Sequence, residues 1–301
     1  LRYAPIKLIM KRFQSIFISG LLVFIFSCNK NNDDTPEPPK AVDKSANLLA
    51  TGASANDILA NDSFDKILIE IGHVSGFRPT AAAIAEFTDF LKEHTFKQNI
   101  EVMYTELESP EEENLTLQEI ADLERDNRTA YNDDKTLAIY IYFADAPSVD
   151  DDEDEGLVTL GAVFRNTSMV IHEITVRRLA AQSAFISNAD VEAATLNHEF
   201  GHLFGLVNLG TPAINNHEDQ DASNHCNVPG CLMRAQLQFS GSSNKSNVLV
   251  SKSAYENGIT SGCILSGKTV LNLLQSKTGK NSAAPGLDAE CILDIQGNGG
   301  R

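Results

Sequence analysis

The chain has 301 residues, of which 42% are hydrophobic, and carries 41 Asp and Glu against 24 Lys and Arg, a formal net charge of −17. The apolar share is sufficient for a buried core, and the length allows one large domain or two small ones. The acidic balance argues against a nucleic-acid partner, because phosphates are neutralised by basic surface. We therefore expect a folded protein with an acidic, well-solvated surface.

The N-terminal segment has the pattern of an export signal. Met10 is followed by a Lys-Arg pair and the apolar run SIFISGLLVFIFS, which is short for a transmembrane helix. The run ends in IFSC, residues 25–28, which resembles the lipobox of bacterial lipoprotein signal peptides. This resemblance implies that residues 1–27 are a signal peptide and that Cys28 is lipidated. An ordinary secretory signal is the alternative.

The residues after the lipobox predict a tether. Residues 29–47 contain several prolines and few apolar side chains, which is typical of a disordered linker, and we predict a lipidated, mostly disordered tether at 28–62. Acidic residues shortly after Cys28 resemble the surface-export signals of lipoproteins in the Bacteroidetes. We expect an exported lipoprotein, held by its lipid at the outer membrane or cell surface.

From residue 63 onwards, predicted strands and helices alternate, which indicates a mixed α/β domain. Strands are predicted at 65–74, 99–107, 135–145 and 159–171, and helices at 79–94, 116–128 and 187–205. The third strand is nearly continuous in apolar residues and is therefore predicted to be central, whereas polar residues at 165–168 favour an edge position for the fourth. Weaker helical patterns follow at 268–277 and 287–296.

The helix predicted at 187–205 contains a pair of histidines. His198 and His202 are four residues apart, so both imidazoles project from one helix face and can share a metal ion. Glu199 can reach a water on that metal without binding it, which is the position of the general base in a zinc hydrolase. The alternative is a pair of surface histidines on an amphipathic helix, which does not explain their combination with Glu199.

The segment HEFGHLFG, followed by CLM at 231–233, resembles the metzincin clan of zinc peptidases, and HCNVPGCLM at 225–233 is similar to the archaemetzincins in particular. The resemblance implies a zincin-like fold, one catalytic Zn²⁺, a methionine turn at Met233, and hydrolysis of peptide bonds with Glu199 as the base. It also implies that the edge strand pairs with an extended peptide substrate.

The same resemblance divides the domain, 63–301, into an upper subdomain at 63–208 and a smaller, irregular lower subdomain at 209–301.

Two other functions stay open. One is a surface lipoprotein that binds peptide or glycan without catalysis, and the other is a zinc-dependent hydrolase that acts on a non-protein substrate.

Three residues are candidates for the third metal ligand. Asn208 has the metzincin spacing, six residues after His202, but a neutral amide oxygen is a poor zinc ligand beside imidazole. His217 lies in an insertion, next to two acidic residues that could orient it. His225 directly precedes the Cys-x4-Cys-x-Met segment, as in the archaemetzincins, and is the preferred ligand.

Four cysteines besides Cys28 allow three disulfide pairings: Cys226, Cys231, Cys263 and Cys291. In an exported protein, disulfides are favoured over a thiolate zinc site, and the preferred pairs are Cys226–Cys231 and Cys263–Cys291. The archaemetzincins complete a second, structural zinc site with a later Cys-x-x-Cys, which this sequence lacks.

Overall fold

A mixed sheet forms the centre of the fold. The computed structural model describes residues 42–152, 157–184, 186–234, 263–266 and 286–301. Within these residues the sheet has six strands in the order β2-β1-β3-β5-β4-β8. The strands are β1 Lys66–Val74, β2 Asn99–Leu107, β3 Thr136–Ala144, β4 Leu157–Arg165, β5 Ser168–His172 and β8 Cys263–Ser266. A separate two-stranded sheet pairs β6 Glu218–Asp219 with β7 Ala222–Cys226.

Six α-helices accompany the strands in the described residues. They are α1 Ala55–Leu59, α2 Ala81–His94, α3 Leu117–Asn127, α4 Glu173–Ala180, α5 Asn188–Leu203 and α6 Ala289–Gly297. Thr116 and Ser187 begin α3 and α5 with capping boxes, in which a hydroxyl and a carboxylate satisfy backbone N–H groups at the helix start. The helix predicted at 268–277 lies outside the described residues.

The prediction of a mixed α/β fold is confirmed. β1, β2, β3 and β5 run parallel, and β4 runs antiparallel to β5. β3 lies between β1 and β5 and is buried along all but its first residue, as its apolar sequence predicted. On one face of the sheet, α2 and α5 pack together, with the rings of Phe87 and Phe200 5.2 Å apart.

The single strand predicted at 159–171 is wrong. The chain forms two strands, β4 and β5, joined by a tight turn at Asn166 and Thr167. The polar residues that suggested an edge are partners in a buried network instead: Arg165 and Ser168 each bind the carboxylate of Glu124, at 2.6 Å. β4 is also not an edge strand, because β8 pairs with its other side.

The predicted tether is too long. Asn47 is fully buried and donates to the carbonyl oxygen of Ala138 at 3.1 Å, and the α1 side chains Ile58 and Leu59 belong to the core. Folded structure therefore begins before residue 63. Residues 1–41, with Cys28, lie outside the described residues. Within the described residues, none of the helices has the length and apolar character needed to cross a membrane.

Candidate metal centre

Helix α5 is rigidly placed at both ends. At its start, the Ser187 amide donates to Asp190 Oδ2 at 2.7 Å, and the Ser187 hydroxyl accepts from the Asp190 amide at 3.3 Å. At its end, Gly205 takes a φ of +77°, a left-handed conformation that glycine adopts without strain and that turns the chain away from the helix. Between these ends, the last two turns of α5 carry His198, Glu199 and His202.

Three histidines meet beside these turns. The ring centroids of His198 and His202 are 5.0 Å apart. The ring centroid of His225, on β7, lies 5.4 Å from that of His198 and 5.1 Å from that of His202. One ring nitrogen of each residue lies within 4.8 Å of one nitrogen of each other residue. This convergence provides three imidazole ligands for a single ion, which is the protein ligand set of a zinc site with an open fourth position.

Backbone carbonyls orient two of the three rings. His198 Nδ1 lies 2.7 Å from the carbonyl oxygen of Leu232, and His225 Nδ1 lies 2.9 Å from that of Ser223. Since a carbonyl only accepts, each Nδ1 carries the hydrogen and the ring's lone pair is on Nε2. Such outer hydrogen bonds are the usual means by which proteins fix the tautomer and direction of metal-binding histidines.

All three imidazoles are held in the neutral form. Burial is the largest cause that lowers the pKa of His198, and burial followed by the neighbouring His198 and His225 lowers the pKa of His202 well below its usual value. Burial, with His198 as the second cause, lowers the pKa of His225 to about 3. A metal binds the neutral ring, so the site is in its binding form at neutral pH.

Glu199 is packed against the sheet. Its side chain is fully buried, and a Cβ added at Gly161 of β4 would lie 2.7 Å from its Cγ. Only a glycine at 161 lets the backbone of β4 approach the carboxylate-bearing side chain this closely. β4 is therefore the strand that borders Glu199, the residue that the sequence predicts to be the catalytic base.

Met233 lies against the same helix. It is fully buried, and a Cβ added at Gly201 would lie 2.2 Å from its sulfur. Its carbonyl oxygen accepts from the amide of Cys226 at 2.8 Å, which joins this segment to the residue after His225. The methionine thus supports the helix turn between the two histidines, and glycine at 201 makes the room that it needs.

We expect Gly201→Ala to destabilise the protein by about 1–3 kcal/mol, because the new methyl group must displace the buried Met233 sulfur. The free energy of unfolding, measured in urea, checks this. Gly286→Ala is the control, since an added Cβ at 286 has nothing within 4 Å. Equal stability of the two variants would contradict the contact.

Asn208 is a turn residue whose side chain forms hydrogen bonds within the insertion. Its φ is +65°, its amide nitrogen donates to Glu218 at 2.7 Å, and its oxygen accepts from the amide of Ala213 at 2.8 Å. The same Glu218 carboxylate accepts from the amide of Asn224, at 2.6 Å, next to His225. Asn208, which has the metzincin spacing after His202, therefore stabilises the loop of the insertion through these hydrogen bonds.

His217 belongs to a second cluster. Its Nδ1 lies 3.4 Å from Cys226 Sγ, and its Nε2 lies 2.9 Å from Asp294 Oδ2 on α6. His217, Cys226, Asp288 and Cys291 could together hold a metal ion. Asp288 and Asp294 were missed by sequence reasoning, because acidic residues on a short helix give no signal of a partner that far away along the chain.

The preferred disulfide pairs, Cys226–Cys231 and Cys263–Cys291, stay predictions. Cys226, Cys231 and Cys291 are buried thiols, and Cys231 Sγ lies 3.6 Å from Cys291 Sγ, whereas a disulfide bond is about 2.05 Å. The side chain of Cys263 lies outside the described residues. Hydrogen bonds from Cys226 and Cys291 lower the pKa of Cys231, and the same contacts among the three thiols raise the pKa of Cys226 and of Cys291.

No protein-family model and no curated protein matches this chain. Among solved structures, the crystal structure of archaemetzincin from Methanopyrus kandleri is similar over 79% of this chain and 96% of that one, with 15% sequence identity and a TM-score of 0.41. This likeness is distant, and the function proposed below therefore depends on the side chains of the chain itself.

Proposed function

We propose that this protein is a zinc-dependent endopeptidase. The observation that carries the proposal is the convergence of His198, His202 and His225, all neutral, beside a buried glutamate on the same helix. Three imidazoles with carbonyl-fixed orientations fit the preference of Zn²⁺ for nitrogen ligands in a catalytic site.

A bound zinc ion supplies polarisation of the scissile carbonyl and a lowered pKa for the attacking water. Glu199 takes the proton from that water and passes it to the leaving amine, as the general base and then the general acid. The backbone of Gly161 lies close to the Glu199 side chain, which is fully buried beside the histidines. His198, His202 and His225 would hold the metal, with the Nδ1 atoms of His198 and His225 directed at backbone carbonyls.

The thiol cluster fits a second, structural zinc ion. Cys226 and Cys291 offer sulfur ligands, His217 a nitrogen and Asp288 an oxygen, all within 4.8 Å of one another. Asp294 accepts from the other nitrogen of His217, which is the usual carboxylate–histidine arrangement around zinc. An ion in this site would join β7 to α6 and so help to hold His225 in place.

The experiment that tests the function is incubation of the purified protein with a mixed peptide library, with and without a chelator, read by mass spectrometry. New peptide termini that appear only without the chelator support an endopeptidase. Retention of intact peptides on the protein, without cleavage, supports the non-catalytic binding module. If the zinc-loaded protein neither cleaves nor retains peptides, the result supports a hydrolase with a non-protein substrate.

The anchor is a separate proposal and rests on the sequence at residues 25–28. We expect Cys28→Ser to move the protein from the membrane to the soluble fraction, since two or more acyl chains hold a protein firmly and their loss removes the anchor. Fractionation and mass spectrometry of the N-terminal peptide measure this. An unmodified Cys28 and unchanged fractionation would rule out a lipoprotein.

A further inference from the structure

The strand that borders Glu199 is occupied on both sides by the chain itself. On one side β4 pairs with β5, and on the other it pairs with β8, the last strand in the sheet order. The pairing with β8 is antiparallel and covers residues 157–161 of β4. Cys263 is the partner of Gly161, the glycine whose backbone lies against Glu199.

This is the place where an extended substrate would be expected to pair. A peptide that adds to a sheet needs a strand edge with unpaired N–H and C=O groups, and its reactive bond must lie next to the catalytic residues. The backbone of Gly161 in β4 lies so close to Glu199 that an added Cβ would be 2.7 Å from the Glu199 Cγ. The outer edge of β4 is covered at that point by Cys263–Ser266.

We propose that residues 263–266 are a built-in competitor of extended peptide substrates, so that the free protein is autoinhibited and a substrate must displace β8 to reach the metal centre. The inference rests on the proposed endopeptidase function and adds the regulation of its site. The substrates it selects are extended, unstructured peptide segments, because only these can replace a strand.

The size and position of β8 make it displaceable. It is four residues long and, among the described strands, pairs with β4 alone, so few backbone hydrogen bonds hold it. Displacement of a short edge strand is therefore much less costly than opening of the parallel centre of the sheet.

The first test uses the wild-type protein and hydrogen exchange. Amides of 263–266 that pair with β4 are expected to be protected in the zinc-loaded protein and to lose protection when a saturating extended peptide with a zinc-chelating hydroxamate is added. Unchanged or increased protection in 263–266 on binding of that peptide would overturn the proposal, because the ligand and β8 would then occupy different places.

The second test is the double variant Ile264→Pro, Leu265→Pro. Alternate residues of an antiparallel strand direct their N–H groups to the same neighbour, so two consecutive prolines remove at least one bond to β4. The matched control, Ile264→Val with Leu265→Val, keeps both amides. We expect the proline variant to raise kcat/KM for an extended peptide by at least about tenfold, which corresponds to about 1.4 kcal/mol, and the valine variant to match wild type.

Binding separates this inference from the proposed function. The comparison uses Glu199→Gln alone and Glu199→Gln combined with the two proline substitutions. Fluorescence anisotropy of a labelled extended peptide should show tighter binding by the combined variant, and the two proteins should have equal zinc content. If the prolines tighten peptide binding but no protein that retains Glu199 cleaves peptide, the endopeptidase function is wrong and the role of β8 as a competitor stands. If the wild type cleaves peptide but the prolines leave binding and rate unchanged or reduced, the role of β8 is wrong and the endopeptidase function stands.

Discussion

Glu199→Gln is expected to lower the rate of peptide cleavage by about 10²–10⁴-fold while zinc content stays at the wild-type level. The amide has nearly the same shape as the carboxylate, so it fits the buried space against Gly161. It cannot take a proton from water. Because Glu199 does not hold the metal in this proposal, the change removes the base and leaves the site otherwise intact. Single-turnover cleavage and atomic absorption measure the two quantities.

A matched control lies on the same helix. Glu192 is also fully buried in α5, and its carboxylate accepts from Thr80 and Asn188. Glu192→Gln replaces a buried carboxylate of α5 outside the metal centre, so cleavage per folded protein should stay near wild type. If Glu199→Gln cleaved peptides as fast as Glu192→Gln, the general-base mechanism would be wrong.

His225→Ala should remove the catalytic zinc ion and reduce cleavage to background, since two imidazoles alone leave the ion with too few ligands. His217→Ala should instead weaken the thiol site and leave a cleaving protein. Zinc per chain is expected to be two in the wild type and one in His225→Ala. In that variant, Co²⁺ at the remaining site should still show thiolate-to-metal charge transfer, because the thiols are its ligands.

Asn208→Gly completes the set. Glycine keeps the left-handed backbone at 208 without strain, so this variant tests the side chain alone and should retain both zinc ions and cleavage.

Loss of the catalytic ion with His217→Ala and its retention with His225→Ala would show that the insertion carries the third ligand. One zinc ion in the wild type, lost with His225→Ala, would refute the second metal site alone.

Local sequence determined the elements on which the chemistry depends. The spacing of His198 and His202 and the capping residues Ser187 and Asp190 predicted α5 to within two residues, because helix periodicity and capping involve neighbours three or four positions apart. β2 was predicted with its bounds, and the buried character of β3 followed from its apolar run. These features need no knowledge of distant parts of the chain.

Only the tertiary structure decided which distant side chains meet. It brought His225 to the α5 histidines, His217 to Asp294, and the thiol of Cys231 to that of Cys291. It also made Arg165 and Ser168 partners of the buried Glu124, so polar residues that indicated an edge lie at a hairpin turn inside the protein. The physical reason is the same in each case: a polar side chain is buried only with a partner, and the partner is supplied by the fold rather than by the adjacent sequence.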